Sequence, residues 1–400
     1  MKKKRKRTKP LRVFEAFAGI GAQHSALKRA NINFEVVGIS EWFINALLTY
    51  DAIHCDDTNI DIPSYEEQIE ELSKFTFSKD SVNPIKDIRK LSRNEIENLY
   101  IANKRTKNFG SITEIKGKDL PRIDLLVYSF PCQDLSTGGK TMGMSKGSGT
   151  RSGLLWEIER ILIELKKLKR LPKYLLMENV KTIYAQSNKK DLEQWLNFLE
   201  SMGYSNGSHL VLNAIDFGVP QFRNRAFIIS HLGDKIDDTE LISYSNPAPS
   251  IKPFLRLNYR DPILREEANQ AQLNNTISRE EMWAINKREH IEDSTTINTI
   301  TCNMDRSNTA AMFKYNGPKG KTYRLPTIRE AFLFMGFTED EYLKTLRLGL
   351  SYRKMNKLIG NSIVVNVLEK IFTLLFDEKY GRGEWYAQNY FTYRHKIVIL

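Results

Sequence analysis

Cysteine is scarce in this chain, since its 400 residues contain three, Cys55, Cys132 and Cys302, which lie far apart. An odd, widely spaced set forms neither a disulfide framework nor a zinc pattern, so it predicts a chain of the reducing cytoplasm without a metal site. No run approaches the roughly 18 consecutive apolar residues of a membrane helix. No apolar segment of signal-peptide type follows the first residues either. These absences exclude a disulfide-rich secreted domain and predict no membrane partner.

Negative charge is the minority, with 48 Asp and Glu against 60 Lys and Arg, which gives a formal net charge of +12. A basic surface attracts polyanions, of which nucleic acid is the commonest in a cell, although many lysine-rich chains bind none. The basic residues 2–9 suit a phosphate-contacting arm, a nuclear signal or a solvated tail. The length and a hydrophobic content of 41% are those of a globular enzyme with two or three domains.

Strand and helix patterns alternate through the first half of the chain, which predicts an α/β fold with a doubly wound, mostly parallel sheet. The predicted strands are residues 11–17, 34–39, 123–128, 174–177, 209–212 and 226–230. The predicted domains are a basic tail (1–10), a catalytic domain (11–230) with a polar insertion at about 56–107, a smaller irregular recognition domain (231–323), a return to the catalytic domain (324–376), and a C-terminal tail of unknown role (377–400).

The third predicted strand ends at Tyr128 and is followed by Pro131, Cys132 and a glycine-rich loop. A thiol at the carboxyl end of a parallel strand lies where α/β enzymes do their chemistry. The alternative is a small buried cysteine that happens to precede a turn. The next strand pattern ends in Glu178 and Asn179, which brings a carboxylate to the same sheet edge, either as a proton donor or as an ion-pair partner.

Two arginines alternate in the extended segment 221–225. In a strand, Arg223 and Arg225 would point to one face, where they could bind a base carbonyl and a phosphate or face water.

Gly19 and Gly21 separate the first strand from a helix, so the backbone there can approach a ligand closely. Glu41 closes the second strand, where an acid can bind the hydroxyls of a ribose, and Trp42 offers an aromatic face to an adenine ring. The alternative is a helix-terminal acid beside a core tryptophan. Because no long phosphate loop is present, the pattern favours S-adenosyl-L-methionine over NAD or ATP.

Five motifs together resemble the DNA (cytosine-5) methyltransferase family of the bacterial and phage restriction-modification type. In chain order they are Phe17-Ala-Gly, Phe130-Pro-Cys-Gln, Glu178-Asn-Val, Gln221-Phe-Arg-Asn-Arg and Gly360-Asn-Ser. The resemblance covers residues 12–376, and segments 129–136, 147–161 and 172–180 are most similar to CG-specific bacterial members.

The resemblance implies a class I, Rossmann-like methyltransferase that transfers a methyl group from S-adenosyl-L-methionine to C5 of a cytosine flipped out of double-stranded DNA. Cys132 would add to C6 of the ring and Glu178 would contact N3, while Asn179, Gln221, Arg223 and Arg225 would order the site. The implied cofactor contacts are Phe17, Gly19, Ile20, Gly21, Glu41, Trp42, Ser111, Ile112, Pro131, Leu154, Asn361 and Ser362. The implied DNA contacts are Ser136, Thr299, Ile300, Asn303 and Arg306, although the last two could equally lie in a solvated loop.

The chain departs from the family at Ser111, where an aspartate usually lies near the adenine amine. Ser111 itself or Glu114 could take that place. The resemblance further implies a monomer in the cytoplasm of a bacterial or phage-infected cell, with a possible cognate restriction endonuclease that acts on the same DNA site without binding the chain.

Two other functions compete with this prediction. A tRNA cytosine methyltransferase would share the fold, but the long polar region 244–321 argues against the compact recognition region of those enzymes. A DNA-binding module without activity would have no need for Cys132, Glu178 and both arginines.

Overall fold

The computed structural model describes residues 9–55, 60–135, 143–272, 276–285, 289–306, 311–317 and 323–380. The strands in these ranges are β1 (Leu11–Ala16), β2 (Phe34–Ser40), β3 (Leu125–Tyr128), β4 (Tyr174–Val180), β5 (Tyr204–Asn206), β6 (Leu210–Asn213), β7 (Gln221–Phe222), β8 (Asn224–Leu232), β9 (Glu289–His290), β10 (Ile297–Asn298), β11 (Met312–Lys314) and β12 (Tyr323–Arg324). The helices are α1 (Ala22–Arg29), α2 (Ile44–His54), α3 (Tyr65–Leu72), α4 (Arg93–Arg105), α5 (Leu155–Lys167), α6 (Lys189–Met202), α7 (Thr239–Ser243), α8 (Pro262–Gln270), α9 (Ile277–Ile285), α10 (Ile328–Phe334), α11 (Glu339–Thr345), α12 (Tyr352–Gly360) and α13 (Val365–Tyr380).

The main sheet has seven strands in the order β2-β1-β3-β4-β8-β5, with β6 also paired to β8. Neighbours from β2 to β4 are parallel, whereas β8 is antiparallel to β4, β5 and β6. Six strands therefore run in one direction and β8 alone opposes them. The predicted α/β fold with a mostly parallel sheet is confirmed, and the carboxyl ends of β1 to β4 share one edge.

Side chains of the central strands alternate between two core clusters because both faces of the sheet are covered. Leu125 and Val127 of β3 pack in one cluster with residues of α1 and α13, and Leu126 and Tyr128 pack in the other with residues of α5 and α6. All four are at most 2% exposed. Continuous apolar runs of this kind are typical of parallel strands that are buried on both faces.

The predicted strands are all present, and β2, β4 and β8 are longer than their apolar patterns. β4 continues to Val180 because Glu178, Asn179 and Val180 pair with Phe227, Ala226 and Arg225 of β8. Glu178 and Asn179 thus lie within the last three residues of the strand, where the sequence places them.

The described part of the predicted polar insertion, residues 60–107, packs at the β2 edge in a third core cluster that it shares with residues of β2 and α2. Serines Ser64 and Ser92 begin α3 and α4 with capping boxes, in which the serine hydroxyl and a glutamate three residues later bind each other's backbone amide. Leu72, Ile96 and Leu99 are fully buried in this third cluster.

The polar region after β8 has short helices and a small sheet, β12-β11-β9, and its strand β10 pairs with β7, which precedes β8. Ile297, Ile300 and Phe313 of this region belong to the same core cluster as β1 and α13. Arg324 and Glu330 form a nearby ion pair with both side chains 0% exposed.

The apolar stretch Tyr352–Phe376 is long and apolar enough to span a membrane, yet it is mostly buried inside the fold as α12 and α13.

Candidate active site

A cavity of about 640 Å³ opens at the edge of the sheet where β1 to β4 end. Its walls bring together Phe17, Glu41, Trp42, Cys132, Glu178 and Arg225. This volume lies within the range of about 300–1,000 Å³ that is usual for small-molecule sites. The predicted chemical groups thus share one space at the sheet edge.

The segment between β3 and Cys132 is held by two hydrogen bonds to its backbone. Asn179 Nδ2 donates to the Phe130 carbonyl at 3.0 Å, and Ser152 Oγ donates to the Pro131 carbonyl at 2.7 Å. Both carbonyls lie directly before Cys132, so these contacts fix where its thiol enters the cavity.

Asp134 fixes the chain on both sides of residues 136–142, a role that sequence reasoning missed. Its carboxylate accepts the backbone N–H groups of Arg151 at 2.8 Å and Ser152 at 3.1 Å, and its own carbonyl accepts that of Gly143 at 3.1 Å. Asp134 is only 7% exposed. The predicted DNA contact Ser136 lies outside the described residues.

Glu178 is 5% exposed, and its two carboxylate oxygens have different partners. Oε2 accepts a hydrogen bond from the Ser129 hydroxyl, and Oε1 lies 3.5 Å from Arg225 Nε. Burial raises the pKa of the Cys132 thiol, Arg225 and Arg223 lower it, and Glu178 raises it. The thiol therefore holds its proton more tightly than a free cysteine, and the two arginines favour the thiolate.

Arg223 and Arg225 both line the cavity, as their alternation predicts, but their surroundings differ. Arg223 is 3% exposed and donates to three carbonyls, those of Ile300 at 2.8 Å, Gly360 at 3.1 Å and Ser362 at 2.7 Å. Burial and the nearby Arg225 charge lower the Arg223 pKa to about 9. Arg223, which lies between β7 and β8, thus binds two distant segments of the chain, while Arg225 on β8 faces Glu178.

Gln221 lies outside the walls of the cavity and is fully buried. Its Nε2 donates to the Phe334 carbonyl at 2.6 Å, and its Oε1 accepts the Ile300 N–H at 2.9 Å. Gln221 therefore links β7 to α10 and to the segment after β10.

The turn after β1 presents its backbone to the cavity in a left-handed conformation, with φ of 57° at Phe17, 58° at Gly19 and 79° at Gly21. A Cβ on Gly21 would lie 2.3 Å from His54 Nε2, so only glycine fits there. Gly21 itself does not line the cavity, whereas Phe17, Gly19 and Ile20 do. Gly21 is the N-cap of α1, which no side chain caps, so its first amides suit a carboxylate.

Glu41 reaches back to this turn from the end of β2. Its Oε2 accepts the Gly19 N–H at 2.9 Å and its Oε1 accepts the Phe43 N–H at 2.7 Å. Burial raises the pKa of Glu41 to about 7, and these amides oppose the shift. The Glu41 carboxylate is therefore buried and held in place by two backbone amides at the end of β2.

The remaining predicted cofactor residues all line the cavity. They are Trp42, Ser111, Ile112, Pro131, Leu154, Asn361 and Ser362. The Ser111 and Thr113 hydroxyls lie 2.8 Å apart and hydrogen-bond each other.

The described DNA-contact candidates lie outside the cavity walls. Ile300 is 1% exposed and packs in the core, and the Thr299 hydroxyl donates to the Phe222 carbonyl. Asn303 and Arg306 are exposed at the surface.

Sequence reasoning also missed a buried polar cluster beneath the β1 turn. His54 Nε2 contacts the Ile20 carbonyl at 2.9 Å, and its ring stacks on His24 with 4.3 Å between centroids. Burial lowers the pKa of His54 to about 3, so the ring is neutral and Nε2 donates. Glu15 on β1 is also fully buried, which raises its pKa to about 8. No local sequence signal relates these positions on β1, α1 and α2.

Comparison with known proteins gives consistent relatives. The family model described as C-5 cytosine-specific DNA methylase matches residues 88–377. The chain is 39% identical over 389 residues to the orphan methyltransferase M.SssI of Spiroplasma monobiae, covering 93% of this chain and 98% of that protein. It is 38% identical over 370 residues to the type II methyltransferase M2.ScrFI of Lactococcus lactis subsp. cremoris, covering 92% and 99%. The crystal structure of Schizosaccharomyces pombe Dnmt2 methyltransferase has the same fold, with a TM-score of 0.62 at 20% identity over 92% of this chain and 98% of that one.

Proposed function

The chain belongs to the family of C-5 cytosine-specific DNA methylases, and we propose on that premise that its cavity receives a flipped cytosine of duplex DNA beside S-adenosyl-L-methionine. The observation that carries this proposal is the shared cavity, in which Cys132, Glu178 and Arg225 stand a short way along the sheet edge from Glu41 and Trp42. Flipping is needed because the face of a stacked base cannot be reached inside the duplex.

Cys132 is the proposed nucleophile. Its thiolate adds to C6 of the cytosine, which makes C5 electron-rich enough to take up a methyl group. Burial raises the pKa of this thiol, so the positive charges of Arg225 and Arg223 help it to lose its proton. Loss of the C5 proton and release of Cys132 then restore the aromatic ring.

Glu178 is the proposed partner of the N3 edge of the cytosine, which it protonates or binds through a hydrogen bond. The Ser129 hydroxyl and Arg225 hold the two carboxylate oxygens, so Glu178 is positioned before the base arrives. The Phe130 carbonyl accepts a hydrogen bond from Asn179, and its second lone pair can accept one from the exocyclic amine of the cytosine.

The residues at the other end of the cavity fit S-adenosyl-L-methionine, which supplies an activated methyl group when it is bound. The uncapped N-terminus of α1 suits its carboxylate, and Glu41 suits the ribose hydroxyls. Trp42 offers an aromatic face to the base, and the cavity of about 640 Å³ has room for a ligand of this size.

The recognition region is proposed to contact the DNA through the surface near Thr299, Asn303 and Arg306. Thr299 is fixed against β7, and Arg223 holds the Ile300 carbonyl, so this surface is attached directly to the active site. The enzyme is proposed to act as a monomer in the cytoplasm of a bacterial or phage-infected cell, where a cognate restriction endonuclease would act on the same DNA site without binding the chain. The resemblance to CG-specific members makes CG the first DNA context to test.

The test is incubation of the purified chain with labelled S-adenosyl-L-methionine and either duplex DNA or tRNA, followed by bisulfite sequencing of the DNA. We expect label at C5 of cytosine in DNA, no label with Cys132→Ser, and normal label with the matched control Cys55→Ser. Label on tRNA alone would refute the DNA assignment, and an active Cys132→Ser would refute the nucleophile.

A further inference from the structure

The order of groups along the sheet edge shows which end of the cavity receives which part of a nucleoside cofactor. Cys132 follows β3, the turn Phe17–Gly21 follows β1, and Glu41 follows β2. Residues 107–109 extend the sheet beyond β2. The Ile39 N–H donates to the Lys107 carbonyl, and the Phe109 N–H donates to the Ile39 carbonyl. A ligand with its methyl group near Cys132 and its ribose at Glu41 therefore places its base beyond β2.

Residues 76–84 cover this outer end of the cavity, and we call them the roof segment. Ser78 pairs with the chain after β2, since its N–H donates to the Trp42 carbonyl at 2.8 Å and its carbonyl accepts the Ile44 N–H at 3.0 Å. Thr76, Ser81, Val82 and Pro84 line the cavity. The insertion thus supplies one wall of the site.

Two cations from other parts of the fold fix the roof segment. Arg151 Nη2 donates to the Ser81 carbonyl at 2.6 Å, and Lys357 Nζ donates to the neighbouring Asp80 carbonyl. Arg151 lies just before α5 and Lys357 lies on α12, so two other parts of the fold hold the roof segment.

Glu114 stands at this end with its carboxylate oriented by the roof. Its Oε2 accepts the Thr76 N–H at 3.1 Å, and its Oε1 accepts the Thr76 hydroxyl. The other two carboxylates of the described cavity wall are Glu41 and Glu178, which lie at the ribose and reaction ends. Glu114 is thus the ionisable acceptor at the base end.

We propose that Glu114 accepts a hydrogen bond from the exocyclic amine of the cofactor's purine, with Thr76 as the positioning residue. A carboxylate has further lone pairs besides those bound by Thr76, whereas the Ser111 hydroxyl is paired with that of Thr113. An ionised acceptor strengthens such a bond. Glu114 therefore selects a 6-aminopurine over a purine without that group. This inference rests on the proposed cofactor.

The test is calorimetric binding of two ligands to the full chain without DNA. The ligands are S-adenosylhomocysteine and its analogue in which hydrogen replaces the 6-amino group. We expect the wild type to bind the analogue about ten-fold more weakly, the lower range for a bond to a charged group, because Glu114 is exposed. In Glu114→Ala the two ligands should bind equally well, and Thr76→Val should fall between.

Glu97→Ala is the matched control, since Glu97 is exposed on α4 of the same insertion, and it should keep the wild-type ratio. The inference would be overturned if Glu114→Ala kept the wild-type difference in affinity between the two ligands, or if only Ser111→Ala lost it. Either result would leave the cofactor assignment intact. Equal binding of both ligands by the wild type would likewise overturn the inference and leave that assignment intact. A wild type that binds neither ligand would instead refute the proposed cofactor itself.

Discussion

Arg223 and Arg225 come from one short motif, yet the structure predicts that losing the first mainly lowers stability and losing the second mainly lowers activity. Arg223→Met would leave the carbonyls of Ile300, Gly360 and Ser362 without their donor. Each buried carbonyl left unpaired costs about 1–3 kcal/mol. Removing a buried charge returns part of that cost, since burial lowers the Arg223 pKa to about 9. We expect a net loss of about 3 kcal/mol in the free energy of unfolding.

Arg225→Met should lower the free energy of unfolding less than Arg223→Met does, because the Arg225 side chain is 18% exposed, its ion-pair distance to Glu178 is 3.5 Å, and Glu178 keeps the Ser129 hydroxyl as a partner. Its effect should fall on catalysis, since it removes the charge that favours the Cys132 thiolate. Urea unfolding followed by circular dichroism measures the first effect, and single-turnover methylation measures the second. Equal stability of Arg223→Met and wild type would refute the structural role assigned to Arg223.

Three further predictions concern buried ionisable side chains. The rate at which iodoacetamide alkylates Cys132, measured against pH by mass spectrometry of its peptide, should have its midpoint at a higher pH than for a free cysteine. Arg225→Met should move this midpoint to a still higher pH. A midpoint below that of a free cysteine would contradict the raised pKa of Cys132. Burial raises the pKa of Glu15 to about 8, so the folded chain keeps a proton that the unfolded chain releases near 4.5, and stability should fall as pH rises between these values. Glu15→Gln should flatten that fall in urea titrations, leaving the part due to Glu41, whose pKa is raised to about 7; an unchanged slope would exclude Glu15 as its source. Arg324→Met should lower the free energy of unfolding by about 3–5 kcal/mol, because Glu330 would remain buried without its partner; a stability close to wild type would contradict this.

The strands and the reaction end of the cavity could be predicted because their signals are local. Apolar runs such as residues 125–128 report burial on both faces of a sheet, and parallel strands bring the residues that follow them to one edge. Cys132 and Glu41 could therefore be assigned to one site from their positions after strands. The antiparallel β8 could not be predicted as such, since strand direction depends on pairing and leaves little trace in the sequence.

Contacts between distant parts of the chain account for what the sequence did not show. Asp134 reads as an ordinary loop residue until Arg151 and Ser152 are placed against its carboxylate. Glu114 and Thr76 are 38 positions apart, and Thr76 lies in a polar insertion that no motif connects to the site. Hydrogen bonds of this kind follow from the fold and not from local propensity.

Gly360 shows how a motif can be visible in the sequence while its reason lies in the packing. A Cβ at this position would lie 2.3 Å from the Cys302 nitrogen and 2.4 Å from the Thr301 carbonyl carbon, so the backbone of the recognition region passes directly against the glycine. The Gly360 carbonyl in turn accepts from Arg223, which also holds the carbonyl of Ile300. One glycine and one arginine thus join the recognition region to the cavity wall. Residues 300–302 are therefore joined to the cavity wall by direct contacts of Gly360 and Arg223, and not only through the chain that connects them.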